Sequence, residues 1–130
     1  MAGQLRFLGS QPKAAVASWM RQADCLVLSS RWENQPVVIL EAQASGLPVA
    51  ACAVGGVPEL VRAETGRLGP PGDAQGLAQA IGEVLARPGQ FSRQAIRAEA
   101  VAKYSYQAVG ERLKVCYQSV SKSFGQGCNS

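Results

Sequence analysis

Short apolar runs rich in β-branched and small residues alternate along this chain with longer stretches whose apolar residues recur every three or four positions. No other feature restricts the fold as much, because strands separated by crossovers of helical length assemble into a parallel sheet covered by helices. The first run is Leu5 to Leu8, closed by Gly9 and Ser10. The second, Cys25 to Leu28, is continuously apolar, as expected of a strand covered on both faces. Pro48 to Val54 is the third, and a short fourth run, Gly66 to Leu68, ends in the turn sequence Gly69-Pro70-Pro71-Gly72-Asp73. Helices are expected over Pro12 to Ala23, over Pro36 to Ser45 with Gly46 just past its end, and over Pro58 to Ala63 after Gly55-Gly56. A further helix, Ala74 to Ala86, takes Asp73 as its cap and Leu77, Ile81 and Leu85 as its apolar face, and Pro88-Gly89 breaks it. Ser92 to Lys103 and Gln107 to Ser121 follow as helices. The expected fold is α/β, a partial doubly wound, Rossmann-like parallel sheet with flanking helices. Residues 1–123 read as one such unit and residues 124–130 as a flexible, polar tail.

Function classes narrow quickly. A chain of 130 residues, 47% hydrophobic and 17% charged, can bury a core but is too short for two full nucleotide-fold domains. The net charge of +4 comes mostly from residues beyond 70 and forms no basic block, so no nucleic-acid partner is expected and at most a peripheral membrane contact. No apolar run approaches the roughly 18 residues of a membrane span, and the opening MAGQLRFLGS is unlike a signal peptide. A cytoplasmic location, at most peripheral to the inner membrane, is the expectation. The chain has no histidine, which removes Ser-His-Asp and Cys-His nucleophile systems. Its four cysteines lack metal-ligand spacing, and Cys25 and Cys52 read as small buried hydrophobes. Phe7, Trp19, Trp32, Leu77 and Leu85 read as core, with Trp32 set apart by its place in a ligand-facing loop.

Open α/β sheets bind ligands beyond the carboxyl ends of their strands. That places the chemistry in three loops: Gly9 to Lys13, Ser29 to Pro36, and Val54 to Glu59. The second loop and its helix carry Glu33 and Glu41. Were the segment wholly helical, an eight-residue step would set the two about 80° and about 12 Å apart. This is too far for carboxylates sharing a proton, and beyond the roughly 5 to 9.5 Å of a glycosidase acid and base. Contacts with two ends of one long ligand suit it better.

Glu33 and Glu41, the intervening VVILEA, the turn Ala44-Ser45-Gly46, Pro48-Val49 and Val54-Gly55-Gly56-Val57-Pro58-Glu59 together resemble the signature of glycosyltransferase family 4, the retaining, GT-B-type glycosyltransferases of group 1. The likeness runs from Leu5 to about Leu85 and implies the C-terminal part of a GT-B nucleotide-sugar-binding domain, truncated on its N-terminal side. It implies that Glu41 accepts hydrogen bonds from the ribose hydroxyls, which an ionised carboxylate can take as a pair. Glu33 inherits the position near the transferred sugar, the catalytic one, where it orients the donor or stabilises positive charge at the anomeric carbon. Asn34, Gln35, Pro36, Val37 and Val38, at a helix N-terminus, are implied to meet the donor's sugar hydroxyls or phosphates through backbone amides. Gly9 and Ser10 would face the nucleotide from another strand end, and Arg31 would approach the same site.

Two departures stand out. Pro36 lies where many relatives carry a nearby glycine, and it has no N–H to donate. The Arg and Lys pair that holds the diphosphate in the family lies upstream of anything matching Gln4, as does the acceptor domain. A transition state that loads charge onto the diphosphate then lacks a major stabiliser, so little or no turnover is expected of these residues alone. There is no Asp-x-Asp pair, so no metal and no cofactor are expected, the nucleotide sugar being a substrate. The implied function is the donor-binding part of a retaining glycosyltransferase of polysaccharide or glycolipid assembly. The implied partners are a nucleotide sugar and the missing N-terminal domain or a second chain. The alternative is a non-catalytic nucleotide-binding or oligomerising remnant that self-associates through an exposed sheet edge. Taken singly, Glu41 also fits a solvated carboxylate, and Gly55-Gly56 a tight turn with positive φ.

Overall fold

The computed structural model describes residues 4–87 and 89–125. Nine elements follow one another: α1 (Lys13–Gln22), β1 (Leu26–Leu28), α2 (Val37–Ala44), β2 (Val49–Cys52), α3 (Val57–Leu60), β3 (Gly66–Gly69), α4 (Ala74–Leu85), α5 (Arg93–Tyr104) and α6 (Tyr106–Gly125). The three strands form a parallel sheet in the order β1-β2-β3, with Leu26 beside Val49 and Val49 beside Gly66. From α1 onward, helical and extended runs fall within a residue or two of the sequence pattern, except that α3 ends three residues before Ala63 and α6 runs four residues past Ser121.

The core is built on β2, all four of whose residues are buried. Val49 and Ala51 face the side where Met20 of α1, Ile39 and Ala42 of α2, and Val57 and Leu60 of α3 pack. Ala50, on the other face, meets Ala80 and Val84 of α4. Helices therefore cover both faces, as the alternating pattern demands of a buried parallel strand. Small residues at positions 50 and 51 let the helix layers close on the sheet. On the first side, α5 packs against α2, and α6 then packs against α5.

Local chemistry explains the helix ends. Asp73 Oδ1 accepts from the amides of Gln75 and Gly76, both at 3.0 Å, and so caps α4 as expected. Ser92 caps α5 through the amide of Ala95 at 3.2 Å. Gly46 follows α2 with φ 75°, the left-handed conformation a helix C-terminus uses. The Arg93 guanidinium donates to the carbonyls of Ala23, Arg21 and Met20 at 2.8, 3.0 and 3.3 Å, closing the end of α1.

Several expectations are corrected. Leu5 to Leu8 forms no strand; Leu5 and Phe7 are 69% and 89% exposed. A strand needs a neighbour to complete its hydrogen-bond ladder, and none of the three described strands lies beside this segment. β1 is covered on one face only, with Val27 44% exposed, because α4 lies over β2 and β3 and stops short of the edge. Trp19 and Trp32 are exposed rather than core. The buried stripe of α4 runs through Ala80 and Val84, leaving Leu85 at the surface. The last helix runs to Gly125, two residues into the segment expected as a tail, and the rest of that segment lies outside the described residues, as does Pro88. Among the described residues no helix is long and apolar enough to cross a membrane.

Candidate functional site

The loops at the carboxyl ends of β1 and β2 are pressed together by backbone contacts. The Gly56 amide donates to the carbonyl of Asn34 at 2.7 Å. A Cβ on Gly56 would lie 2.3 Å from that same oxygen, and one on Gly55 would lie 1.7 Å from the Glu33 carbonyl. Gly55 also has φ 51°, whereas Gly56 has φ −82°. The glycine pair thus serves close approach as much as a tight turn, and only Gly55 needs the left-handed conformation. Glu33, half-buried, is further held by Ser30, whose hydroxyl donates to Glu33 Oε1 at 2.6 Å. Its carboxylate is fixed by its own loop rather than by a helix.

Pro36 is buried and extended (φ −72°, ψ 113°), and α2 begins directly after it. Val37 and Val38 occupy the first helical turn, where amides have no acceptor within the helix. Asn34 and Gln35 are exposed in the preceding loop. At the other end of α2, Gln43 is buried and donates from Nε2 to the Leu60 carbonyl at 2.7 Å and to Thr65 Oγ1 at 3.3 Å. That bond ties α2 to α3 and to the turn before β3, setting the helix's rotation and with it the direction of Glu41.

Glu41 lies on the exposed side of α2 and lines a cavity of about 360 Å³ between α1 and α2. One wall is a single face of α1, Lys13, Val16, Ala17 and Met20, at spacings of three, four and seven. The other is Glu41 and Ala44 of α2 with Ser45, which caps its end, at spacings of three and four. The volume is that of a small-molecule site, with apolar walls and a few polar groups at its rim. Gln11 closes one end; its Nε2 donates to the Leu8 carbonyl at 2.7 Å across the Gly9-Ser10 turn. Gly9 and Ser10 themselves are exposed and line none of the described cavities. Gln11 and Lys13 lie in the Gly9 to Lys13 loop that the sequence marks as ligand-facing, whereas the α1 face of Val16, Ala17 and Met20 escaped the sequence reading, although the recurrence of Val16 and Met20 was the available signal.

Glu33 and Glu41 share no described cavity. A second, smaller cavity of about 170 Å³ at the strand ends is lined by Ser29, Ser30 and Arg31 on one side and by Asp73 and Leu77 on the other, with Cys52 at its floor. A further cavity, about 550 Å³, lies at the opposite end of the sheet, where Asp24 and Pro48 lead into β1 and β2, away from the ligand-facing loops. Its Arg93 is committed to the end of α1. Burial pushes the Cys25 thiol up, helped by the nearby charge of Asp24, so Cys25 behaves as a packing residue rather than a nucleophile.

Comparison with known proteins bears on this geometry. A family model described as glycosyl transferases group 1 matches residues 1–87. The chain is 39% identical over 119 residues to the D-inositol 3-phosphate glycosyltransferase of Mycobacteroides abscessus, covering 90% of this chain and 26% of that protein. It is 30% identical over 120 residues to a glycogen synthase of Mycobacterium tuberculosis, covering 90% of this chain and 29% of the relative. Among solved structures, the sucrose-phosphate synthase of Thermosynechococcus elongatus superposes with a TM-score of 0.78 at 32% identity, over 91% of this chain and 30% of that one. The chain spans less than a third of the length of each of these three proteins.

Proposed function

Since the chain belongs to the glycosyl transferases group 1 family, we propose that it is the donor-binding part of a retaining glycosyltransferase, which moves a sugar from a nucleotide-diphosphate sugar to a glycan or lipid acceptor. The observation that carries this reading is Glu41, an exposed carboxylate set at the edge of an apolar groove between α1 and α2. A nucleoside fits such a groove with its base against Val16, Ala17 and Met20, and its ribose hydroxyls then reach a carboxylate that accepts both. From there the diphosphate runs toward the start of α2, where the free amides of Val37 and Val38 and the helix dipole favour negative charge. Pro36 contributes no donor there, so Asn34 and Gln35 carry more of the sugar contacts.

Glu33 meets the transferred sugar. Held by Ser30, it stands ready to stabilise positive charge at the anomeric carbon as the bond to phosphate loosens. No metal and no cofactor enters the scheme. The cations that neutralise the departing diphosphate belong to earlier strands of the same domain, upstream of anything matching Gln4, and the groups that hold the acceptor to an N-terminal domain or a second chain, so residues 1–130 alone bind the donor but turn over little or nothing. The setting is cytoplasmic, with at most peripheral membrane contact, in polysaccharide or glycolipid synthesis.

One observation favours a second reading, an oligomerising remnant. The outer edge of β1 is unpaired among the described residues, and Leu113, Val115, Tyr117 and Val120 of α6 are more than half exposed. A homo-oligomer formed through the sheet edge would pair the free backbone groups of β1.

An amide-resolved NMR titration with UDP, GDP and ADP, repeated on Glu41→Ala, tests the first reading. Saturable shifts at Lys13 to Met20 and Glu33 to Glu41, lost in the variant, are expected. A dispersed spectrum that none of the three nucleotides perturbs would sink it, and a size that grows with concentration would favour the second.

A further inference from the structure

Two opposite charges share the groove between α1 and α2 and do not meet. Lys13 and Glu41 both line it, yet no ion pair joins them, and neither side chain makes a hydrogen bond among the described residues. Lys13 is the first residue of α1, the end at which the helix dipole disfavours a cation, and the first turn holds no acidic residue to offset it. Its place is nonetheless fixed. The Gln11 side chain donates back to the Leu8 carbonyl at 2.7 Å and the Val16 amide donates to the Pro12 carbonyl at 3.1 Å, which closes the turn before Lys13 and the helical turn around it. No described interaction of the fold uses the ammonium, so its three donors remain for a ligand.

The layout of the two helices selects the ligand atoms that meet Lys13. α1 ends where β1 begins and α2 begins beyond the end of β1, so both helices start at the carboxyl end of the sheet. Glu41 lies four residues after Val37, about 6 Å along the helix axis. A nucleotide whose ribose is held by Glu41 and whose phosphates run toward Val37 therefore passes the level of Lys13 on the facing wall. Charge points the same way. With Glu41 alone the groove would repel a phosphorylated ligand, whereas Lys13 cancels that charge and attracts phosphate, reinforced by the N-terminal dipole of its own helix. Resting on the reading of Glu41 as the ribose carboxylate, we propose that Lys13 binds the α-phosphate of the nucleotide, a contact additional to the Arg and Lys pair that the family carries upstream. The groove is thereby selective for 5′-nucleotides over free nucleosides, and this stretch of chain keeps a phosphate-binding cation of its own.

NMR titrations with uridine, UMP and UDP on the parent chain, Lys13→Met and Lys13→Arg test this. Lys13 is exposed, so neither substitution is expected to disturb the fold. UMP should bind the parent about 5- to 10-fold more tightly than uridine, the worth of a charge-assisted hydrogen bond at a site open to solvent. Lys13→Met should lose most of that step while its affinity for uridine stays within about twofold, and Lys13→Arg should keep the step. In the parent the step should shrink as salt rises from about 0.02 M to about 0.2 M, and in Lys13→Met it should not change. A ratio of UMP to uridine affinity that is the same in parent and Lys13→Met overturns the inference, whether the variant leaves both ligands alone or weakens both together. The two ideas fail differently: ligands that shift Met20 and Glu41 with that unchanged ratio reject the role of Lys13 alone. Spectra that neither uridine nor either nucleotide perturbs at Met20 and Glu41 reject the donor groove, and this inference with it.

Discussion

The carbonyl oxygen of Glu33 occupies the space that a Cβ on Gly55 would fill, the two lying 1.7 Å apart if the atom were built. Gly55 also sits at φ 51°, where a side chain costs about 1 to 2 kcal/mol before any clash. Gly55→Ala should therefore destabilise the fold by about 2 to 4 kcal/mol, strain and overpacking together. Urea unfolding measures it. A loss under about 0.5 kcal/mol, the range of neutral surface changes, would mean the two loops are not in contact.

Glu41 is exposed and its carboxylate has no hydrogen-bond partner among the described residues, so replacing the side chain should leave the fold alone. Glu41→Gln is expected to weaken UDP binding about 10- to 100-fold, the worth of hydrogen bonds to a charged acceptor, with stability changed by less than about 0.5 kcal/mol. Calorimetry and a melting curve on the same sample separate the two. Equal affinity in the variant would remove the ribose role.

Gln43 holds α2 at the rotation that directs Glu41 into its groove. Gln43→Met keeps the volume but leaves the Leu60 carbonyl without its donor, at a cost of about 1 to 3 kcal/mol. Thr65→Val removes the neighbouring partner of the same network, so the double variant should cost less than the sum of the singles. Strict additivity in denaturant unfolding would show that the two act separately.

Glu99 on α5 is held below the usual carboxylate range by its hydrogen bond to Lys103, with the Arg62 charge adding to it. A lowered carboxylate stabilises the fold above the ordinary carboxylate pKa, and that share is lost as pH falls through the folded value. The group is partly exposed, so solvent screens it, and Glu99→Gln should cost a few tenths to about 1 kcal/mol at neutral pH. As pH falls through the folded value and the carboxyl becomes protonated in both states, variant and parent should converge in stability. A difference that stays the same at low pH would point to packing, not charge.

The alternation of apolar runs and helical spacing determined the α/β class, the parallel sense of the sheet, and most element positions within a residue or two, while the strand order came from the structure. Helix punctuation was equally local, since Asp73 and Gly46 act through backbone groups a few residues away. Glu33 and Glu41 stand out as candidates because family resemblance rests on the order of residue types along the chain, and their roles rest on that resemblance.

Burial was not legible for residues whose neighbours are distant in sequence. Leu5 to Leu8, Val27 and Trp32 have the composition of core, yet no described strand or helix covers them, and apolar character alone does not create a partner. The same limit hid the role of Gln43 and the face of α1 opposite Glu41, which depend on how helices turn once the sheet sets their spacing. The sequence by itself determined which residues can make strands, caps and a carboxylate able to accept hydrogen bonds. Only the tertiary structure decided that Glu41 faces a groove, that Glu33 is clamped against Gly55, and that Trp32 stands in water, because each requires segments far apart in the chain to be brought within contact.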